Sequence, residues 1–197
     1  MHKGRLEAFS DGVLAIIITV MVLEMKAPLG PEFADLRPLV PVILSYLLSF
    51  IYIGIYWSNH HHMFQVTKNV NGAILWANLH LLFWLSLVPF TTAWMGENHF
   101  ASSPVALYGF VLLMAAVTYT ILQVRILRTR GSEMLRRAVG RDRKGKASLA
   151  LYAAAIALSF VNRWIACGIY VLVALIWLIP DRRIERTLEE ESSSRQP

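Results

Sequence analysis

Three stretches of this chain, Leu39–Trp57, Ala73–Met95 and Val105–Val124, contain no Asp, Glu, Lys or Arg, and a fourth, Ala147–Ile179, contains only Arg163. A hydrocarbon core about 30 Å thick requires about 20 consecutive apolar residues per helix. Runs of this kind commit a chain to the bilayer before any other feature is considered. A further run, Ala8–Met25, opens on Ser10 and Asp11 and is apolar from Val13 to Leu23 except for Thr19. Ala147–Ile179 as one straight helix would be about 50 Å long, so it is read as two helices joined by a tight turn at Asn162-Arg163. The expected fold is all-α and polytopic, with six membrane helices at about 8–25, 39–57, 73–95, 105–124, 147–161 and 164–179 in one domain over 1–181, then a polar tail at 182–197. Only 16% of the residues are charged, against about 25% in a soluble domain. The single cysteine, Cys167, excludes an internal disulfide and a cysteine-built zinc cluster.

The basic residues give the orientation. With six spans and the N-terminus inside, 16 of the 19 Lys and Arg fall on the inner side, nine of them between Arg125 and Lys146. Only Lys26, Arg37 and Arg163 fall outside. This is the positive-inside bias, so both termini are expected in the cytoplasm and the protein in the cytoplasmic membrane. The net charge of +6 is thereby explained as topology. The Arg125–Lys146 loop suits anionic lipid head groups, and nucleic acid is not an expected partner, because the basic run carries no motif. No cleavable signal peptide is expected, since no small-residue cleavage site follows the first run.

Polar and ionisable groups inside a span are costly and mark function by default. Ser10 and Asp11 sit at the inner end of helix 1, His60-His61-His62 follow Trp57 at the inner end of helix 2, and Asn78 and His80 lie at the inner end of helix 3. Three helices thus bring polar groups to one depth, where a satisfied network would fix helix 1 against helices 2 and 3. Asp11 requires a partner such as a His or Trp N–H to offset its desolvation. Three adjacent histidines point 100° apart on a helix, so a metal site is not expected from them. Arg163 reads as a turn residue reaching the head groups. On helix 1, Gly12, Ile16, Thr19 and Leu23 share a stripe about 60° wide at 100° per residue. That stripe serves either as the lining of a pore or as a packing seam within one bundle. No nucleophile elbow, HExxH, Walker loop or paired carboxylates are present, so no enzyme and no cofactor are expected.

The segment Arg5-Leu6-Glu7-Ala8-Phe9-Ser10-Asp11 resembles the R-x-x-x-F-S-D signature of the transmembrane protein 175 family of potassium channels, in its prokaryotic form. The resemblance continues through Trp57-Ser58-Asn59-His60-His61, Asn78 and Leu87-Val88-Pro89-Phe90-Thr91, and through the six-span layout. It implies a homotetramer around a central pore lined by helix 1, without a T-V-G-Y-G filter. It implies a hydrophobic constriction at Ile16 with a second aliphatic ring at Leu23, and ion selectivity at Thr19. It implies that Arg5, Phe9, Ser10 and Asp11 join Trp57, His60, His61, Asn78 and His80 in a cytoplasmic-side polar network. The expected activity is a potassium-permeable, modestly selective monovalent cation channel, with membrane lipid, potassium ions and further copies of the chain as partners. The alternative is a proton- or metal-linked secondary transporter using the intramembrane histidines. The absence of visible repeats and broken helices counts against it.

Overall fold

In the computed structural model, which describes residues 3–65, 67, 69–129 and 142–178, every regular element is helical. The order is α1 (Lys3–Leu23), a 3-10 turn (Phe33–Leu39) running directly into α2 (Val40–Gln65), α3 (Gly72–Ser86), α4 (Val88–Glu97), α5 (Ser102–Leu127), α6 (Arg143–Leu158) and α7 (Arg163–Leu178). α1, the 3-10 turn with α2, α3 with α4, and α5 are each long and apolar enough to cross a membrane, and α7 is a shorter apolar helix. Most of the basic loop and the tail from 182 onward lie outside the described residues.

The helices run further than hydropathy alone indicates. α1 starts at Lys3 rather than near residue 8, and α2 continues to Gln65 rather than ending near Trp57. Hydropathy marks where lipid ends, whereas helical hydrogen bonds continue until the backbone is interrupted. His60, His61 and His62 are therefore helical residues of α2 and not part of a following loop. The third span, expected as one helix over 73–95, is two helices meeting at Leu87. Pro89 lies in the first turn of α4. Proline has no N–H and its ring clashes with the preceding turn, so it cannot continue α3 but is well suited to starting α4. The Leu87 amide still reaches the Trp84 carbonyl at 3.2 Å, so this is a kink and not an unwound segment.

α5 is the most buried of the long spans, packed by α3, α4, α6 and α7, while α1 leans mainly on α2, α3 and α4. Hydroxyl groups tie the bundle centre. Ser49 of α2 bonds Thr92 of α4 at 2.7 Å and Tyr108 of α5 at 3.0 Å. Tyr52 donates to the Tyr170 carbonyl at 2.6 Å, and the Tyr170 hydroxyl donates to the Val105 carbonyl at 3.1 Å. With lipid outside offering no hydrophobic gain for helix association, such packing and bonding hold a membrane bundle together. Gly109 makes the last contact possible, because a Cβ there would occupy the position of the Tyr170 hydroxyl. α6 and α7 form a hairpin whose turn is closed by Asn162 Oδ1 accepting from the Trp164 amide at 3.0 Å.

Candidate functional site

α1 has two dissimilar faces. Leu6, Ser10, Leu14, Ile17 and Met21 are buried against the bundle. Their spacing of three and four residues traces one side of a helix. On the other side Arg5, Phe9, Gly12, Ile16, Thr19 and Leu23 are exposed, with Ile16 63% and Leu23 76% accessible in the single chain. Phe9, Ile16 and Leu23 recur every seven residues, as do Arg5, Gly12 and Thr19. A seven-residue repeat keeps a seam facing one direction along a helix. The Thr19 hydroxyl donates to the Ala15 carbonyl at 2.9 Å. Its proton is thus committed to its own helix, and its lone pairs remain available to face outward. Beside this seam, Ile16 and Val20 of α1 with Phe90 and Ala93 of α4 line an apolar groove of about 420 Å³.

On the buried side a three-residue relay crosses α1, α3 and α2. The Ser10 hydroxyl donates to the Leu6 carbonyl at 2.9 Å, and Asn78 Nδ2 donates to Ser10 Oγ at 2.9 Å. Asn78 Oδ1 lies 2.8 Å from His60 Nε2. Since the Asn78 amide nitrogen is already donating to Ser10, its oxygen is the acceptor toward His60, and Nε2 of His60 carries the proton. Ser10 and Asn78 are fully buried and His60 is nearly so. An unpaired polar group at that depth would be costly, and here each is paired.

A second branch runs along the exposed edge. Trp57 Nε1 donates to Asp11 Oδ1 at 3.1 Å, and the Trp57 ring stacks on His61 with centroids 6.1 Å apart. The Gln65 amide nitrogen lies 2.8 Å from His61 Nε2. An amide NH2 can only donate, so that ring nitrogen is the acceptor. Lys3 then closes the edge by donating to the Gln65 carbonyl at 3.1 Å.

The structure thus separates two neighbours that the sequence reading grouped. Ser10 points into the bundle, while Asp11 is exposed and pairs across to α2 of the same chain. One residue along a helix is a 100° turn, so adjacent side chains serve different surroundings. Asn78 and His80 separate for the same reason. Two residues are 200° apart, and His80 is exposed on the far side of α3. Arg5 and Phe9 are also exposed, and among the described residues Arg5 has no hydrogen bond or ion pair. None of Arg5, Phe9 and His80 joins the relay within one chain. Among the described residues, no three His, Cys, Asp or Glu side chains come together as metal ligands. Gln65 was absent from the sequence reading, although its position one turn beyond His61 on the same helix was available as a signal.

Residues 5–89 match the family described as endosomal/lysosomal potassium channel TMEM175. That segment holds the whole α1 seam and, apart from Lys3, both hydrogen-bonded branches. A potassium channel of Chryseobacterium sp. is 59% identical over 191 residues, covering 96% of this chain and all of that protein. A potassium channel of Chamaesiphon minutus is 31% identical over 193 residues, covering 90% and 94%. The crystal structure of a lysosomal potassium-selective channel TMEM175 homolog from Chamaesiphon minutus superposes with a TM-score of 0.79 at 30% identity, covering 91% of this chain and 97% of that one.

Proposed function

The chain belongs to the TMEM175 family, which consists of ion channels and not enzymes, and from that premise we propose that it forms a potassium-permeable cation channel as a homotetramer with α1 around the pore. The observation that carries this reading is the exposed seam of Ile16, Thr19 and Leu23 on a helix whose opposite face is fully engaged in the bundle. Four such seams facing a common axis would make stacked rings. Ile16 and Leu23 form apolar rings that dewet and exclude ions when narrow, and widening them admits water and cations. Thr19 forms a ring of hydroxyl oxygens whose protons point to Ala15, leaving lone pairs for a partly dehydrated cation. Neutral oxygens suit monovalent ions, and one layer of them gives modest selectivity. The groove beside Ile16 suits the neighbouring subunit's α1. The Ser10–Asn78–His60 relay and the Asp11–Trp57–His61 edge form the cytoplasmic-side network that holds α1 in register. Both termini face the cytoplasm, and the protein resides in the cell membrane.

The test is the reversal potential of purified protein in planar bilayers, with potassium on one side and sodium on the other. Single-channel steps reversing toward the potassium equilibrium value are expected. Current that reverses midway, or coupled flux without channel steps, would overturn the reading.

A further inference from the structure

At the opposite end of the bundle from the Ser10–Asn78–His60 relay, an apolar groove of about 640 Å³ lies between α2 and α7. Its walls include Leu44 and Leu47 of α2 and Val171 and Leu175 of α7, all exposed on the outer surface of the single chain. Between Arg163 and Leu178, which both line it, α7 rises about 22 Å at 1.5 Å per residue. That is comparable to the length of an extended acyl chain.

The mouth differs from the walls. Arg163 stands over the Trp164 ring at 5.5 Å, and the buried Phe100 ring packs on Trp164 at 5.7 Å. His99 joins them at the rim. His99 and Phe100 have φ of 49° and 57°, consecutive non-glycine residues in the left-handed region. L side chains adopt that region reluctantly, so the turn after α4 is held there by its surroundings. Among the described residues, no carboxylate lies within ion-pair distance of Arg163. A guanidinium without an acidic partner, above an apolar groove open to lipid, matches one chemistry. It complements a phosphate in bidentate geometry, with a tryptophan at head-group level.

We propose that this groove is a binding site for one anionic phospholipid, its phosphate on Arg163 and one acyl chain along α2 and α7. A zwitterionic lipid would bring its own cation against the guanidinium and is disfavoured there. The inference rests on the chain spanning a membrane and is independent of the pore reading.

The experiment uses the full chain in phosphatidylcholine bilayers containing equal small fractions of either brominated phosphatidylglycerol or brominated phosphatidylcholine. The Trp164 signal is isolated as the difference between the parent and Trp164→Phe. Brominated phosphatidylglycerol should quench it with about fivefold preference, the scale of one basic residue at an anionic surface. Arg163→Gln should abolish the preference, while Arg37→Gln, an exposed cation outside the groove lining, should keep it. Equal quenching by both lipids would mean ordinary boundary lipid and overturn the site. Quenching by neither would mean that a second copy covers the groove. A preference that survives Arg163→Gln, or is lost equally in Arg37→Gln, would also overturn the assignment. Should Arg163→Gln fail to fold, the absence of a preference in the parent alone still overturns the site.

Discussion

Asn78 of α3 donates to Ser10 of α1 at 2.9 Å, and this single bond is the buried polar link between the helix that bears the exposed seam and the helix behind it. Asn78 also accepts from His60, so its replacement leaves the buried His60 N–H unpaired and takes from Ser10 one of its two bonds. Asn78→Leu should lower stability by about 1–3 kcal/mol, the cost of orphaned buried groups. Ser10→Ala, which removes a smaller share, should cost about 1 kcal/mol. A double-mutant cycle read by unfolding in detergent should give a coupling of about 0.6 kcal/mol and no more than about 1.7, the range for interhelical bonds in membranes. Strict additivity would show that the bond does not link α1 to α3.

Asp11 and Trp57 make the corresponding test on the exposed edge. Asp11→Asn keeps an acceptor for the indole N–H and removes only the charge, while Trp57→Phe removes the donor. If the bond sets the position of α1, Trp57→Phe should change open probability more than Asp11→Asn does, at equal yield of assembled protein. Single-channel recording of both variants provides the measurement. Parent-like gating in both would remove the edge from the gating account.

Ile16→Ala shortens a side chain that is 63% accessible in the single chain, so its loss should not destabilise the subunit. It should instead raise leak current in the bilayer assay and reduce discrimination, because the apolar ring no longer dewets. A variant as closed and as selective as the parent would remove Ile16 from the constriction.

Thr19→Val preserves shape and removes the oxygen. The potassium-to-sodium permeability ratio should fall toward one, and Thr19→Ser should retain most of it, since serine can also donate to the Ala15 carbonyl. Reversal potentials of the two variants separate an effect of the hydroxyl from an effect of side-chain volume.

Gly109→Ala should destabilise the bundle by about 1–3 kcal/mol through overpacking, because the new methyl meets the Tyr170 hydroxyl. Tyr170→Phe alone should cost about 1 kcal/mol for its bond to the Val105 carbonyl. The double variant should be less destabilised than the sum, since the phenylalanine lacks the oxygen that clashes. Thermal unfolding of the three variants in one detergent decides it.

The spans were legible because lipid demands long uncharged runs, and the hairpin of α6 and α7 because a run of 33 residues with one charge exceeds one bilayer. The seam of Ile16, Thr19 and Leu23 was legible from helical angle alone. The break at Leu87 was not read, although Pro89 announces it, because hydropathy does not register a missing N–H. The common depth of Ser10, Asp11, His60, Asn78 and His80 suggested one cluster. Depth along a helix says nothing about azimuth, and azimuth sends Asp11 and His80 outward while Ser10 and Asn78 meet. Gln65 was missed because a polar residue near a helix end is ordinarily solvated, and its role depends on α2 continuing past Trp57.

The attachment of α1 is uneven along its length. Lys3, Ser10 and Asp11 bond to neighbouring helices, while among the described residues no side chain from Gly12 to Leu23 does so. Hydrogen bonds therefore fix the helix near one end, and apolar packing at Leu14, Ile17 and Met21 holds the rest. Rotation about its own axis would break the Ser10 bond at once, whereas tilting about Ser10 leaves it nearly intact. From Ser10 to Leu23 the arm is about 20 Å, so a tilt of about 5° carries Leu23 sideways by nearly 2 Å and Ile16 by about half as much. In the proposed tetramer, four such helices tilting together would change the far ring most and the near end least, and tilt keeps the interhelical Ser10 bond that twist would break.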